Sequence, residues 1–281
     1  MDTLVCYLCH FINEDVIHRF EVIRDSIPNT CQIKWIIPTS IDEKELLKLE
    51  GIDYHCCDFD KKTFFNTKHN DLPRNEFIYC DVYENFNNFD NYWFIEYDCI
   101  FRDNTIENWS SFFNEYLNKG IDLLCCHFCS YDIKYRIACY PFSKLIELNQ
   151  NECHKIINDD VIMKNNFLKV GDIYFSFLVN TLLSKQLLQL IYNYYIIDYD
   201  ESMAFFEYVI PTIAKKHNLM IEDYSDKYTQ LINYICSNPH YLINCGSVSW
   251  YAESKLQYEN NILVHPIKDI TMLINEEHYD K

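Results

Sequence analysis

The chain has 281 residues, 49% of them hydrophobic and 16% aromatic, with 42 Asp and Glu against 24 Lys and Arg and a formal net charge of -18. That length can bury one large core, that apolar fraction excludes intrinsic disorder, and that charge sets the average surface against nucleic-acid phosphates and anionic lipid head groups. No nucleic-acid partner is expected.

Alternating strand-like and helix-like patterns over about the first 130 residues predict βαβ units around a mostly parallel sheet. Leu4 to Leu8 reads as a buried strand. Asn13 caps a helix that carries Val16, Phe20, Ile23 and Ile27 on one face and stops at Pro28. Gln32 to Ile37 is the second strand, Asp42 to Leu49 a short helix ended by Gly51, and Ile52 to Phe59 the third strand. After a polar stretch from Lys61 to Asn75 come a helix around Phe77 to Tyr83 and the apolar run Tyr92 to Ile95, which fits a central strand. Trp109 to Lys119 has helical spacing with Gly120 as its cap, and Asp122 to Phe128 is another buried strand.

Beyond Tyr140 the pattern turns helical: Pro141 to Leu148, then Asn180 to Tyr195 with Leu183, Leu187, Ile191 and Tyr195 in phase, then Glu201 to His217. Asn261 to His265 is the last strand. With no repeat or linker, residues 1–281 read as a single α/β domain with a more helical C-terminal portion.

The four glycines, Gly51, Gly120, Gly171 and Gly246, never cluster, so neither a dinucleotide fingerprint nor a P-loop can be written. A bound nucleotide would have to be held by a metal ion or by side chains. The run Tyr92-Trp93-Phe94-Ile95-Glu96-Tyr97-Asp98 offers that chemistry, because an apolar strand ends in two carboxylates one residue apart. Residues i and i+2 of an extended segment share a face, so Glu96 and Asp98 are expected to point into one crevice and hold a divalent cation, Mn or Mg. Asp58-Phe59-Asp60 and Asp198-Tyr199-Asp200 share the spacing but follow no fully apolar strand.

Here the chain resembles a known family. Its segment from Trp93 through Asp98 to Trp109, WFIEYDCIFRDN followed by Trp, is similar to the corresponding segment of bacterial glycosyltransferase-like proteins with a GT-A type fold. Asp122-Leu123-Leu124 with His127-Phe128, Phe205-Phe206-Glu207-Tyr208-Val209-Ile210-Pro211-Thr212, and Val264-His265-Pro266-Ile267-Lys268 resemble later segments of that family in the same order. The chain departs from the pattern where Ile100 and Phe101 precede Arg102 and where Asn218 stands in place of a usual Gly.

The resemblance implies an α/β, mostly parallel GT-A-like sheet flanked by helices, with a nucleotide-binding half at about 1–130 and an acceptor-side half at about 131–275, and a transferase that moves a sugar from a nucleotide-sugar donor to a glycan or glycolipid acceptor for surface polysaccharide. It implies that Asp98 contacts the metal or diphosphate with Glu96 nearby, that His265 completes the metal shell, and that Lys268 neutralises the leaving phosphate. Glu207 is the expected catalytic base, since desolvation among Phe205, Phe206 and Tyr208 suits a carboxylate to accept the acceptor's proton, and Pro211 is expected to disrupt the helix just beyond it. Glu201 is the alternative base. A non-catalytic carbohydrate-binding scaffold and a nucleotidyltransferase are the competing functions.

The fourteen cysteines include Cys6-x-x-Cys9 and Cys126-x-x-Cys129, but residues i and i+3 of a strand point to opposite faces, so neither pair reads as a zinc site. No cationic setting or helix start marks a thiol as a nucleophile with His10 or His127. Buried free thiols in a reducing compartment are expected, and with no basic leader and no span of about 20 apolar residues the expected location is cytoplasmic.

Overall fold

The computed structural model describes residues 2–57, 75–101, 103–130, 174–197, 206–228 and 263–264. Its organising strand is β1 (Thr3–Leu8), buried at every position because it lies between two parallel neighbours and under helices on both faces. On one side it pairs with β2 (Cys31–Pro38), which pairs in turn with β3 (Tyr54–Cys57). On the other side it pairs with β4 (Asn91–Glu96), in a register that sets Leu8 opposite Glu96.

The sheet continues through β7 (Tyr174–Ser184) and β6 (Leu123–Ser130) to β8 (Ile221–Asp223), giving the order β3-β2-β1-β4-β7-β6-β8. Only β7 runs against the rest, so the seven-stranded sheet is mostly parallel, as expected. A separate antiparallel pair joins β5 (Ile100–Phe101) to β9 (Leu263–Val264) and sets Val264 opposite Ile100.

Helices cover both faces. On one lie α1 (Glu14–Ser26) and α4 (Ile106–Tyr116), with Phe20 against Tyr7 at 5.6 Å between ring centroids and Phe113 against Trp93 at 4.7 Å. Asn13 caps α1 by accepting from the Val16 N–H at 2.8 Å, as its sequence position predicts. On the other lie α3 (Asn75–Asn85), α5 (Lys185–Tyr192) and α6 (Phe206–Lys216), with Tyr79 against Phe94 at 4.3 Å. Two short helices, α2 (Glu43–Leu46) and α7 (Ser225–Tyr228), complete the described chain. Trp35, Trp93, Trp109, Phe94 and Phe101 are sealed in one continuous core, each large side chain contributing about 1.5–3 kcal/mol by burial.

Three expectations need correction. The helix read from Asn180 begins only at Lys185: residues up to Ser184 belong to β7, and the Ser184 hydroxyl caps α5 by accepting from the Leu187 N–H at 3.2 Å. A strand buried on both faces is a continuous apolar run, which helical periodicity can mimic. Second, α6 passes through Pro211 and continues to Lys216. The proline removes only the N–H that would meet the Glu207 carbonyl, within the first turns of the helix. Third, the strand carrying Glu96 stops there, with consequences for the site below.

Asn218, the residue found where the resembling family has Gly, adopts φ +54°, the left-handed conformation a helix C-terminus commonly needs and Asn tolerates. The Leu219 N–H then reaches the Ala214 carbonyl at 3.0 Å and turns the chain toward β8.

Candidate functional site

Ligands of open α/β sheets bind beyond the carboxyl ends of the strands, where successive connections depart in opposite directions. Here that point lies between β1 and β4: the chain leaves β1 for β2 and β3 on one side and returns to β4 on the other. Their carboxyl ends carry Cys9, His10 and Phe11 on one strand and Glu96, Tyr97 and Asp98 on the other.

Glu96 closes β4 and is half-buried, while Asp98 is only 2% exposed. Between them the backbone turns, the Cys99 N–H bonding the Glu96 carbonyl at 2.9 Å, so the two carboxylates are not consecutive same-face positions of an extended strand. Strand alternation therefore does not aim them together. Both push the Cys99 thiol upward, though burial is the larger cause of that rise.

The turn is anchored from below. Arg19 of α1 is fully buried, donates from Nη1 to the Tyr97 carbonyl at 3.1 Å and pairs through Nη2 with Asp15 at 2.5 Å. Asp98 and Arg19 both act on Tyr7 and Cys9. The Cys9 thiol is pushed up to about 12, mainly by burial, and stays protonated, donating to the Phe11 carbonyl at 3.0 Å. Above the turn, His10, Phe11 and Tyr97 form an aromatic cluster with centroid separations of 5.0, 5.4 and 4.9 Å; its His10 ring is exposed. Neither this cluster nor Arg19 was singled out by sequence reasoning, although a buried Arg at i+4 from Asp15 on the core face of α1 is a readable signal.

Glu207 lies in the first turn of α6 and is half-buried. It is linked to Glu96 through Tyr79, a fully buried phenol that both carboxylates act upon, together with Glu76. Burial is the main cause of the strong upward shift at Tyr79, so the group stays a neutral donor, and its hydroxyl faces the Leu178 carbonyl at 3.5 Å. The Tyr79 ring also meets Phe206, the neighbour of Glu207, at 6.0 Å.

Glu96 and Glu207 thus both act on Tyr79, and Asp98 follows Glu96 in the turn that closes β4. His265, Lys268, the alternative base Glu201, Phe205, and the competing pairs Asp58/Asp60 and Asp198/Asp200 lie outside the described residues. Val264, one residue before His265, pairs with Ile100, two residues after Asp98.

Among the described residues no group of three or more His, Cys, Asp or Glu converges as a metal centre. Two carboxylates nonetheless fit a hard cation such as Mg or Mn that keeps several water ligands and takes the rest from substrate phosphates. The buried thiols form no disulfide among the described residues, and no described helix is long and apolar enough to cross a membrane.

Fold and site together define an α/β chain whose mostly parallel sheet presents acidic residues at its topological switch point. No protein-family model matches the chain, and no curated protein matches it. Among solved structures it is similar to glucosyl-3-phosphoglycerate synthase from Mycobacterium tuberculosis in complex with Mn2+, UDP-glucose and phosphoglyceric acid, at 13% identity over 66% of this chain and 57% of that one, TM-score 0.36. It is similar to a cytidylyltransferase from Leptospira borgpetersenii at 13% identity over 79% and 74% of the two chains, TM-score 0.37. The glycosyltransferase GlyE of Streptococcus pneumoniae follows at 12% identity over 82% and 67%, TM-score 0.29. The chain spans only 57% of the length of the first of these structures.

Proposed function

We propose that this chain is a glycosyltransferase that moves a sugar from a nucleotide-sugar donor to a glycan or glycolipid acceptor of surface polysaccharide. The observation that supports the reading is the position of Glu96 and Asp98 at the carboxyl end of β4, beside the β1/β4 switch point, with Glu207 and Glu96 both near enough to Tyr79 to act on its phenol. The donor's diphosphate lies against Glu96 and Asp98, and its base against His10 and Phe11. A divalent cation held by these carboxylates, with His265 completing its shell, would neutralise the diphosphate.

The acceptor hydroxyl oxygen attacks the anomeric carbon while Glu207 takes its proton. The bond from that carbon to the diphosphate oxygen breaks, its electron pair leaves with the phosphate, and Lys268 offsets the charge. Arg19 holds the Tyr97 carbonyl and so fixes the turn that carries Asp98.

The test is thermal stabilisation by UDP-, GDP-, CMP- and ADP-sugars with and without Mn, since a ligand that binds the native state raises its stability by mass action. One donor class should raise the melting temperature of the wild type and not of Asp98→Ala. Stabilisation by none of them, or equal stabilisation of Asp98→Ala, contradicts the reading; stabilisation by unmodified nucleoside triphosphates alone would favour a nucleotidyltransferase.

A further inference from the structure

Phe94 and Glu96 lie two positions apart in β4, whose ladder to β1 stays regular as far as the Leu8–Glu96 pair, so the two residues share one face of the sheet. Tyr79 of α3 packs on that face, its ring meeting Phe94 at 4.3 Å between centroids and 49°. The same ring meets Phe206, the first residue of α6, edge to face at 6.0 Å and 85°. All three side chains are sealed in the core. One phenol ring thus touches the residue two before Glu96 and the residue just before Glu207.

The start of α6 depends on such packing. Pro211 has no N–H to donate to the Glu207 carbonyl, so the helical ladder is one bond short at the turn that carries Glu207. The ring also adds no charge to an acidic neighbourhood: Glu96, Glu207 and Glu76 all act on the phenol, and burial keeps it protonated. Its hydroxyl has little to hold, since the Leu178 carbonyl at 3.5 Å is at the limit of a hydrogen bond. The ring contacts, rather than the hydroxyl, fix the place of Tyr79.

We propose that Tyr79 is a positioning residue whose ring, packed on Phe94 and Phe206, sets where Glu207 stands relative to Glu96. Its bearing on the reaction rests on the glycosyltransferase reading: the base has to meet the attacking oxygen beside a donor held at the end of β4, and a displacement of about 1 Å costs up to about 10²-fold in rate.

The experiment has two readouts on the full chain. The first is native-state hydrogen exchange read by mass spectrometry. Tyr79→Leu should speed exchange about tenfold in the segment from Val209 to Ala214 and leave β1 as in the wild type, while Tyr79→Phe, which keeps both ring contacts, matches the wild type throughout. The second is cleavage of UDP-glucose, GDP-mannose and ADP-glucose with Mn, water serving as acceptor: its oxygen attacks the anomeric carbon, Glu207 takes its proton, and the nucleoside diphosphate leaves with the electron pair. Tyr79→Leu should lower kcat up to about 10²-fold at unchanged donor KM, and Tyr79→Phe should restore it. Phe206→Leu approaches the same contact from α6, so it decides the matter should Tyr79→Leu not fold; it should reproduce the kcat effect, and where both fold the double variant should fall no further than the stronger single one. Wild-type exchange in α6 of Tyr79→Leu and Phe206→Leu, or a wild-type kcat in both, overturns the proposal. Cleavage of none of the three donors by the wild type counts against the transferase reading instead, and the exchange measurement then decides the role of Tyr79 alone.

Discussion

Trp93 of β4 donates its indole N–H to the side-chain carbonyl of Asn180 on β7 at 2.7 Å, and both residues are fully buried. The bond spans 87 positions and fixes the one antiparallel strand against the parallel half of the sheet. Replacing Asn180 by Leu leaves a buried indole N–H unpaired, at about 1–3 kcal/mol. Urea unfolding should show a lower midpoint for Asn180→Leu. A Trp93→Phe/Asn180→Leu double variant should recover part of the loss, because coupled neighbours are not additive; strictly additive effects would mean the bond contributes nothing.

Arg19 is a buried cation with two tasks, the Asp15 carboxylate and the Tyr97 carbonyl. Arg19→Met removes the partner of a half-buried acid and frees the turn before Asp98. A stability loss of about 3 kcal/mol is expected, together with weaker donor binding. Full stability in Arg19→Met would show that the anchor is not needed.

Burial raises the thiols of Cys6, Cys9, Cys99 and Cys125, so at neutral pH all four are protonated and shielded, whereas Cys56 is exposed. Iodoacetamide applied to the native protein should modify Cys56 and spare these four, as peptide mass mapping reads out. Rapid native labelling of Cys99 would contradict the enclosed turn beside Asp98.

At the far edge of the sheet, burial pushes the Glu115 carboxyl up, but hydrogen bonds from Lys227 and Tyr228 outweigh it and the net shift is downward. A lowered folded-state value stabilises the native state above the ordinary carboxyl range, and that contribution is lost as pH falls through it. The melting-temperature gap between wild type and Glu115→Gln should therefore be largest near neutral pH and shrink below about pH 4. A gap that widens on acidification would reverse the assignment. The pair is surface-lying, so the effect is small.

The parallel half of the fold was legible because its signals are local. Asn13 before an apolar helical face, the run Tyr92 to Ile95 and the Trp109 to Tyr116 stripe each specify an element without reference to the rest. β7 was not legible, since Leu182 and Leu183 are buried on opposite faces of a strand and Leu183 also falls in helical phase with Leu187 and Ile191 of the true helix that follows. At the site, the position of Glu96 and Asp98 could be read from an apolar strand ending in acids. The burial of Asp98 could not, because it depends on the turn closed by Cys99 and on Arg19, 79 positions before it in the chain.

The central claim is that Glu207 removes the acceptor's proton at a donor site built on Glu96 and Asp98. The most direct measurement is the single-turnover rate at which the stabilising donor releases nucleoside diphosphate in the presence of acceptor, compared between wild type and Glu207→Gln. The account predicts a rate lower by about 10²–10⁴-fold, with donor stabilisation unchanged. Wild-type release by Glu207→Gln, with the same acceptor and donor, would contradict it.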